Sequence, residues 1–321
     1  MIKKETETED QYMEQKPNMD QDKIMDQEQP MDQGQMEMIF GSYMSWMAKP
    51  GTWVISFVNG TQFLFLLEGE EKALLIDTGY AIGNLRRYVE QLTDKPILVI
   101  NTHFHPDHSG GNGEWEEVMV SEDYALDAPS VEETYGDLKA LPYPDYRKIL
   151  LKDGDEIDLG GRIIKVMKVN NAHCHSHLYL LDTRERMLFM GDEMDSWQVL
   201  LYENSSNPEL ERIEDLDRTL QNYRKNLELA RSLDSEYDWL IGNHNGFVFD
   251  KSYIDDFMGL VDGVYTGETV VCEKLDHPYI ERDPRSADIC RLRYRKASAF
   301  VRRSLLEKIY GSASDRNGRM E

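Results

Sequence analysis

The chain has 321 residues, 40% hydrophobic and 30% charged, which is typical of a water-soluble protein able to bury a sizeable core. Its formal net charge of −24 repels phosphate backbones and argues against nucleic acid as a partner. No apolar run reaches the roughly 18–20 residues that span a bilayer. Three scattered cysteines favour a reducing compartment. We therefore expect a cytoplasmic protein with no membrane partner.

The first 38 residues are predicted to be a disordered, low-complexity acidic tail. They are rich in acidic residues, Gln and Met, and a Met-Glu-Gln or Met-Asp-Gln triplet recurs from Met13 to Gln33. Such a segment buries too little apolar surface to offset its chain entropy. The expected organisation is therefore a tail over 1–38, a main domain over 39–250 and a C-terminal extension over 251–321 packed on that domain.

Strand patterns follow the tail in quick succession. Apolar runs predict strands over 53–58 and 61–67, joined by the hairpin turn Asn59-Gly60. Further strands are predicted at 73–76, 97–100, 118–120, 163–169, 177–181 and 187–190, with a helix over 82–92. A second helix is predicted from Pro208, with Asn207 as its N-cap. This alternation indicates sheets sandwiched between helices.

A group of potential metal ligands follows the strand predicted at 97–100 directly. They are His103, His105, Asp107 and His108, and Pro106 and the pair Gly110-Gly111 predict a tight loop that turns them toward one point. Neutral imidazole and carboxylate are ligands that zinc and iron favour. The spacing therefore predicts a metal site rather than a chance surface cluster of histidines.

Three more candidate ligands each follow a strand-like run. His173 follows the strand predicted at 163–169, Asp192 closes the run Leu188–Gly191, and His244 follows the run Trp239–Gly242. Each of them, taken alone, is more typical of a loop or core residue. Their joint presence in this order predicts one shared metal centre.

Together with Asp77 in its strand-Asp-Thr-Gly segment, these motifs resemble the five ordered motifs of the metallo-β-lactamase superfamily over about residues 50–250. The resemblance implies an α/β fold of the αββα type, with two mixed β-sheets packed face to face and flanked by helices. It also implies two divalent metal ions, with Zn²⁺ expected first and Fe or Mn as alternatives. One ion would be bound by His103, His105 and His173, and the other by Asp107, His108 and His244, with Asp192 bridging both and Asp77 holding the ligand loop.

The activity that the resemblance implies is hydrolysis by a hydroxide bridging two metals, with Asp107 orienting it and accepting its proton. Asp192 resembles the carboxylate of glyoxalase II, lactonases and other esterases, which favours an ester, thioester or lactone-type carbonyl substrate. True β-lactamases usually have a cysteine or a non-ligand there, which makes a β-lactam hydrolase the less favoured alternative. Asp195 replaces the tyrosine usual in quorum-signal lactonases and weakens the lactone option. A sulfur dioxygenase with one iron is another alternative, because the thiol of Cys174 adjoins a ligand.

Around the fourth motif the sequence departs from the superfamily's usual His-Thr-Pro-Gly-Ser. It reads His173-Cys174-His175-Ser176-His177, and in a strand the three imidazoles would share one face. His175 is therefore a candidate for substrate contact or proton transfer. In two insertions the aromatic residues Tyr143, Trp197 and Tyr202 are candidates for a pocket around an apolar acyl or ring group, and a packing role for them stays open.

The C-terminal extension is basic within an acidic protein. Its basic residues include Arg291, Arg293, Arg295, Lys296, Arg302 and Arg303. A solvated helix face or a homodimer contact is the first interpretation, and an anion site is the second. Besides a possible second copy of the chain, a small-molecule substrate is the expected partner.

Overall fold

A computed structural model of the chain describes residues 43–57, 62–80, 84–127, 146–195, 198–201, 213–272, 275, 277, 280–281, 283 and 285–309. In these ranges the strands are, in chain order, β1 (Tyr43–Lys49), β2 (Thr52–Phe57), β3 (Phe63–Glu68), β4 (Ala73–Ile76), β5 (Ile97–Ile100), β6 (Glu117–Ser121), β7 (Arg147–Leu151), β8 (Glu156–Asp158), β9 (Ile163–Lys168), β10 (Leu178–Asp182), β11 (Met187–Gly191), β12 (Gln198–Leu200), β13 (Trp239–Gly242), β14 (Val248–Phe249), β15 (Val270–Cys272), β16 (Ile289–Tyr294) and β17 (Ala297–Arg302). The helices are α1 (Leu85–Val89), α2 (Pro106–Ser109), α3 (Ile213–Ser232) and α4 (Ser252–Thr266), and a further helix covers 303–309. The predicted tail, the Asn59-Gly60 turn and the helix start at Pro208 lie outside the described residues.

The first sheet has the order β1-β2-β3-β4-β5-β6-β7, antiparallel up to β4 and parallel beyond it. Its central strand β4 is buried on both faces. Leu74 and Ile76 pack toward the second sheet, whereas Ala73 and Leu75 pack in the cluster that contains Leu85 of α1. A strand covered on both sides needs a continuous apolar sequence, which the run Ala-Leu-Leu-Ile provides.

The second sheet has the order β14-β13-β11-β10-β9-β8 and packs face to face on the first. Phe65 of β3 meets Phe189 of β11 edge to face, with ring centroids 5.1 Å apart. On the opposite face of β10, Tyr179 and Leu181 pack with Leu220 of α3 and with α4. The layers are therefore helix, sheet, sheet and helix, which confirms the αββα prediction. None of the described helices combines the length and the apolar character needed to cross a membrane.

A third sheet, β12-β17-β16-β15, was not predicted. Cys290 and Leu292 of β16 join the core formed by α3, α4 and the outer face of the second sheet. Arg291 and Arg293 lie on β16 and Arg302 lies on β17, so the interpretation of these three residues as part of a helix face is wrong.

A buried ion pair lies at the end of β10 that is remote from His177. Arg162 and Asp182 have no solvent exposure, and the guanidinium donates to Asp182 Oδ2 from Nη2 at 2.5 Å and from Nε at 2.9 Å. It also donates from Nη1 to the carbonyl oxygen of Gly51 at 2.6 Å and from Nη2 to Thr52 Oγ1 at 2.8 Å. The pair thus connects the second sheet to the turn between β1 and β2.

Candidate metal centre

The predicted ligands meet at the carboxyl ends of the central strands. Asp77 follows β4, the 103–108 loop follows β5, Asp192 follows β11, and His244 lies two residues beyond β13. Strands β4 and β5 are parallel, as are β11 and β13, so the carboxyl ends within each pair lie at one edge. His173 reaches the same place from the loop between β9 and β10.

Three imidazoles form a first cluster. Nδ1 of His105 lies 3.1 Å from Nε2 of His103 and 3.1 Å from Nε2 of His173. Nδ1 of His173 donates to the carbonyl oxygen of Leu200 at 2.9 Å, and Nδ1 of His103 lies 3.1 Å from the Thr102 hydroxyl. When the Nδ1 atoms of His103 and His173 carry the ring protons, the Nε2 atoms of both rings carry lone pairs beside His105 Nδ1. A neutral His105 has one N–H proton, which cannot be donated to both lone pairs at once. A cation can satisfy all three nitrogens, so the donor set fits a metal ion.

Two carboxylates and two imidazoles form a second cluster, with one ligand atom from each of the four residues and all four atoms within 4.8 Å of one another. Nε2 of His244 lies 3.2 Å from Asp107 Oδ2 and 3.4 Å from Asp192 Oδ1. Nε2 of His108 lies 3.2 Å from the same Asp192 oxygen. Mixed nitrogen and oxygen donors of this kind suit a divalent metal ion.

The carboxylate of Asp192 faces both clusters with different oxygens. Oδ1 is directed at the second cluster, whereas Oδ2 lies 3.9 Å from Nε2 of His103 and 3.7 Å from Nε2 of His173. The preceding Gly191 has φ +52°, and a Cβ there would come within 2.4 Å of His177 Nε2. Only glycine fits at this position, so steric restriction explains why a glycine precedes Asp192.

Asp77 positions the candidate ligands through hydrogen bonds to residues beside them. It accepts hydrogen bonds from Thr102 N at 2.7 Å, from Thr102 Oγ1 at 2.9 Å and from Asn243 Nδ2 at 2.9 Å. Its Oδ2 also lies 2.9 Å from His108 Nδ1, which leaves Nε2 of that ring for the second cluster. These bonds hold Asp77 at φ 66°, a conformation that residues other than glycine rarely adopt.

The two clusters differ in how they hold protons. Burial lowers the pKa of His103, and nearby His108 lowers it further, so this ring is neutral. Burial also lowers the pKa values of His108 and His244, but neighbouring carboxylates, Asp192 first, outweigh it and raise both well above the ordinary value. A divalent ion that enters the second cluster therefore displaces protons from its imidazoles.

The segment 173–177 is a bend and a turn, and β10 begins only at Leu178. The expectation that His173, His175 and His177 share the face of a strand is therefore wrong. His177 is buried against His103, with ring centroids 5.0 Å apart, and Cys174 is buried outside both clusters. The His175 side chain is 33% exposed.

The buried carboxylate of Asp127 joins the two ligand loops, a role that sequence analysis missed. Oδ1 accepts from His175 N and lies near His175 Nδ1, both at 3.1 Å, while Oδ2 accepts from Ser176 N at 2.7 Å. Ser176 Oγ in turn accepts from Phe104 N at 2.9 Å, between the candidate ligands His103 and His105. Burial raises the pKa of Asp127, but its hydrogen bonds, the one to His175 first, outweigh burial and lower it, so the group is ionised.

We expect Asp127→Ala to weaken metal binding by about 10- to 100-fold, because the loop carrying His173 loses its acceptors. Competition with a chromophoric chelator measures this change. Asp123→Ala is the matched control, since Asp123 lies four residues earlier and, among the described residues, its side chain pairs with Lys168 near the surface, at 2.7 Å. Equal metal affinity in the two variants would contradict a positioning role for Asp127.

Tyr143, Trp197 and Tyr202, which were proposed for a substrate pocket, lie outside the described residues.

Comparison with known proteins agrees with this architecture. Residues 59–194 match the family model of the metallo-beta-lactamase superfamily. The chain is 30% identical over 159 residues to the acyl-coenzyme A thioesterase MBLAC2 of Homo sapiens, a match covering 40% of this chain and 57% of that protein. It is 26% identical over 191 residues to the hydroxyacylglutathione hydrolase of Nostoc sp., covering 54% of this chain and 70% of that protein. The chain thus spans little more than half the length of the MBLAC2 relatives that it matches.

Solved structures show the same fold. A metallo-beta-lactamase from Pontibacter korlensis is 17% identical with a TM-score of 0.51, over 69% of this chain and 99% of that chain. The sec-alkylsulfatase Pisa1 from Pseudomonas sp. is 14% identical with a TM-score of 0.53, over 70% of this chain and 42% of that chain. The chain therefore has the metallo-β-lactamase fold, and its residues 59–194 match the superfamily in sequence.

Proposed function

We propose that the chain is a metal-dependent thioesterase that hydrolyses the thioester of a small carrier thiol. The observation that carries the proposal is the Asp192 carboxylate, which faces a cluster of three imidazoles with one oxygen and a cluster of mixed donors with the other. The two named relatives support a thioester over other carbonyl substrates, because an acyl-coenzyme A and a hydroxyacylglutathione are both thioesters.

The metal content follows from the two donor sets. We propose one divalent ion at His103, His105 and His173 and a second at Asp107, His108 and His244, with Asp192 shared and with Zn²⁺ as the first choice over Fe or Mn. Bound divalent ions lower the pKa of a water from ~15.7 towards ~7 and polarise a carbonyl oxygen. Such chemistry needs no nucleophilic side chain.

The substrate would reach the centre from one side. His103, His108 and His173 are buried, whereas the four other ligand residues, His105, Asp107, Asp192 and His244, are partly exposed. Burial raises the pKa of Asp107, but His108 and His244 outweigh burial and lower it, so Asp107 is ionised. An ionised Asp107 can accept a hydrogen bond from the attacking water and so orient it. The superfamily resemblance supports the proposal that it also accepts the water's proton.

A substrate panel tests the proposal. We expect the metal-loaded full-length chain to have its highest kcat/KM with acyl-coenzyme A or acylglutathione, compared with oxygen esters, lactones, β-lactams and phosphodiesters. Metal analysis of the same preparation should find close to two divalent ions per chain. A preference for β-lactams would replace the proposed activity, and one iron with oxygen consumption would support the dioxygenase alternative.

The aromatic insertions are expected to select the acyl group. Trp197→Ala or Tyr143→Ala should keep two metals but lose about tenfold in kcat/KM, or ~1.4 kcal/mol, because the metal centre itself is indifferent to the rest of the substrate. The loss should grow with the size of the acyl group. Trp239→Ala, at an exposed tryptophan on β13, is the control. If the insertion variants treat small and bulky substrates as the parent does, these aromatics are packing residues.

A further inference from the structure

The third sheet adjoins the metal centre at its edge strand β12. The carbonyl oxygen of Leu200 on β12 accepts from the ligand His173, and Leu200 is paired with Phe300 of β17. Phe300 is in turn paired with Arg291 of β16, and residues paired across neighbouring strands share a face. Arg291 therefore lies on the same face of the sheet as Leu200, two strands away from it.

Polar contacts connect this face to the loop of His244. Asn245 Nδ2 lies 3.5 Å from Asp195 Oδ2, to which Gln198 Nε2 also donates at 3.0 Å. The same amide nitrogen lies 2.9 Å from Nε2 of His277, which comes from the C-terminal extension. Burial, Arg291 and His244 lower the pKa of His277, in that order, so both charged groups are within electrostatic range of its ring.

Arg291 is a half-buried cation that makes no ion pair with any described residue, and its Nε is buried without a hydrogen-bond partner. Arg302 on the adjacent strand, in contrast, donates to Asp288 at 2.6 Å. The chain has 60 acidic and 36 basic residues, so acidic partners are plentiful. A buried donor without an acceptor is unfavourable, and an anionic ligand would satisfy it.

We propose that Arg291 binds an anionic group of the carrier thiol, a phosphate or a carboxylate. The inference rests on the thioesterase function proposed above and deepens it. A guanidinium matches both anions because it can donate two parallel hydrogen bonds. The carrier would then extend from the second cluster toward the third sheet.

Variants of Arg291 test the site. In the metal-loaded full chain, Arg291→Ala should raise KM by about tenfold for a coenzyme A thioester or an acylglutathione, because a charged hydrogen bond is lost. KM for the neutral phenyl thioacetate, kcat and metal content should stay near the parent values. A larger KM increase for the coenzyme A thioester identifies a phosphate as the bound group, and a larger KM increase for the acylglutathione identifies a carboxylate. Arg293→Ala is the matched control, since Arg293 is the next residue on the same face of β16 and is exposed.

Two further measurements keep the outcome decisive. Arg291→Met retains the apolar stem of the side chain and should show the same KM effect if Arg291→Ala fails to fold. Calorimetry with coenzyme A and with glutathione should show weaker binding to the Arg291 variants than to Arg293→Ala. Equal effects of the Arg291 and Arg293 variants, or an equal KM increase for phenyl thioacetate, would overturn the anion site. If the parent cleaves no thioester, the proposed function fails, and the calorimetry alone then decides on the anion site.

Discussion

Asp192→Ala is expected to reduce the metal content to one ion per chain or fewer and to lower kcat/KM by about a thousandfold, or ~4 kcal/mol. The reason is the position of the carboxylate, since its two oxygens face different clusters and their loss removes a ligand from both. It also removes a negative charge that lies between five imidazoles. Elemental analysis and steady-state kinetics on the preferred thioester measure the two effects.

Two comparison variants separate this role from general damage. Asp192→Asn keeps the shape and one carbonyl oxygen but loses the charge, so it should retain more metal than Asp192→Ala. Asp238→Ala, at an exposed carboxylate paired with Arg186, should behave as the parent. Full activity of Asp192→Ala, or of a metal-free preparation of the parent, would exclude the proposed centre.

The sequence was sufficient to predict which side chains come together, because the candidate ligands are short-range features. The 103–108 group follows β5 directly, and Asp192 follows β11. The bounds predicted for β4 and β5, 73–76 and 97–100, agree with the structure. In β4 this agreement has a physical cause, because burial on both faces leaves an uninterrupted apolar run between polar ends.

The supporting residues could not be predicted, because their partners are distant in sequence. Asp127 accepts a hydrogen bond from Ser176, 49 residues away, and Asn243 donates a hydrogen bond to Asp77, 166 residues away. A single Asp or Asn in a loop carries no local pattern that identifies such a contact.

The third sheet was missed for two different reasons. Strand β12 has three residues, Gln198–Leu200, which are too few to show a periodicity. Strand β16 does alternate, as Ile-Cys-Arg-Leu-Arg-Tyr, but its basic residues led to the interpretation as a solvated helix face. The predicted domain boundary at 250/251 lies between β14 and α4, and residues on both sides of it, such as Phe249 and Phe257, belong to one core cluster.

The largest stability effect is expected at the remote end of β10, where Arg162→Ala should lower the free energy of unfolding by about 3–5 kcal/mol. The substitution leaves Asp182 fully buried without its cation, and it also removes the donors to Gly51 O and Thr52 Oγ1. A loss of this size is a large part of the roughly 5–15 kcal/mol that stabilises a typical domain. Urea denaturation at a fixed metal concentration measures it.

The double variant Arg162→Met with Asp182→Leu makes the test specific. Replacing both charges with apolar side chains removes the uncompensated carboxylate, so the double variant should be more stable than Arg162→Ala and close to the parent. Because Asp182 ends β10 while the ligand loop precedes its start at Leu178, the folded fraction of each variant should keep the parent's metal content and KM. If Arg162→Ala unfolds within about 1 kcal/mol of the parent, or if the double variant is no more stable than the single one, the buried pair does not hold the two sheets together. A loss of metal at full stability would instead show that this end of β10 is coupled to the metal centre.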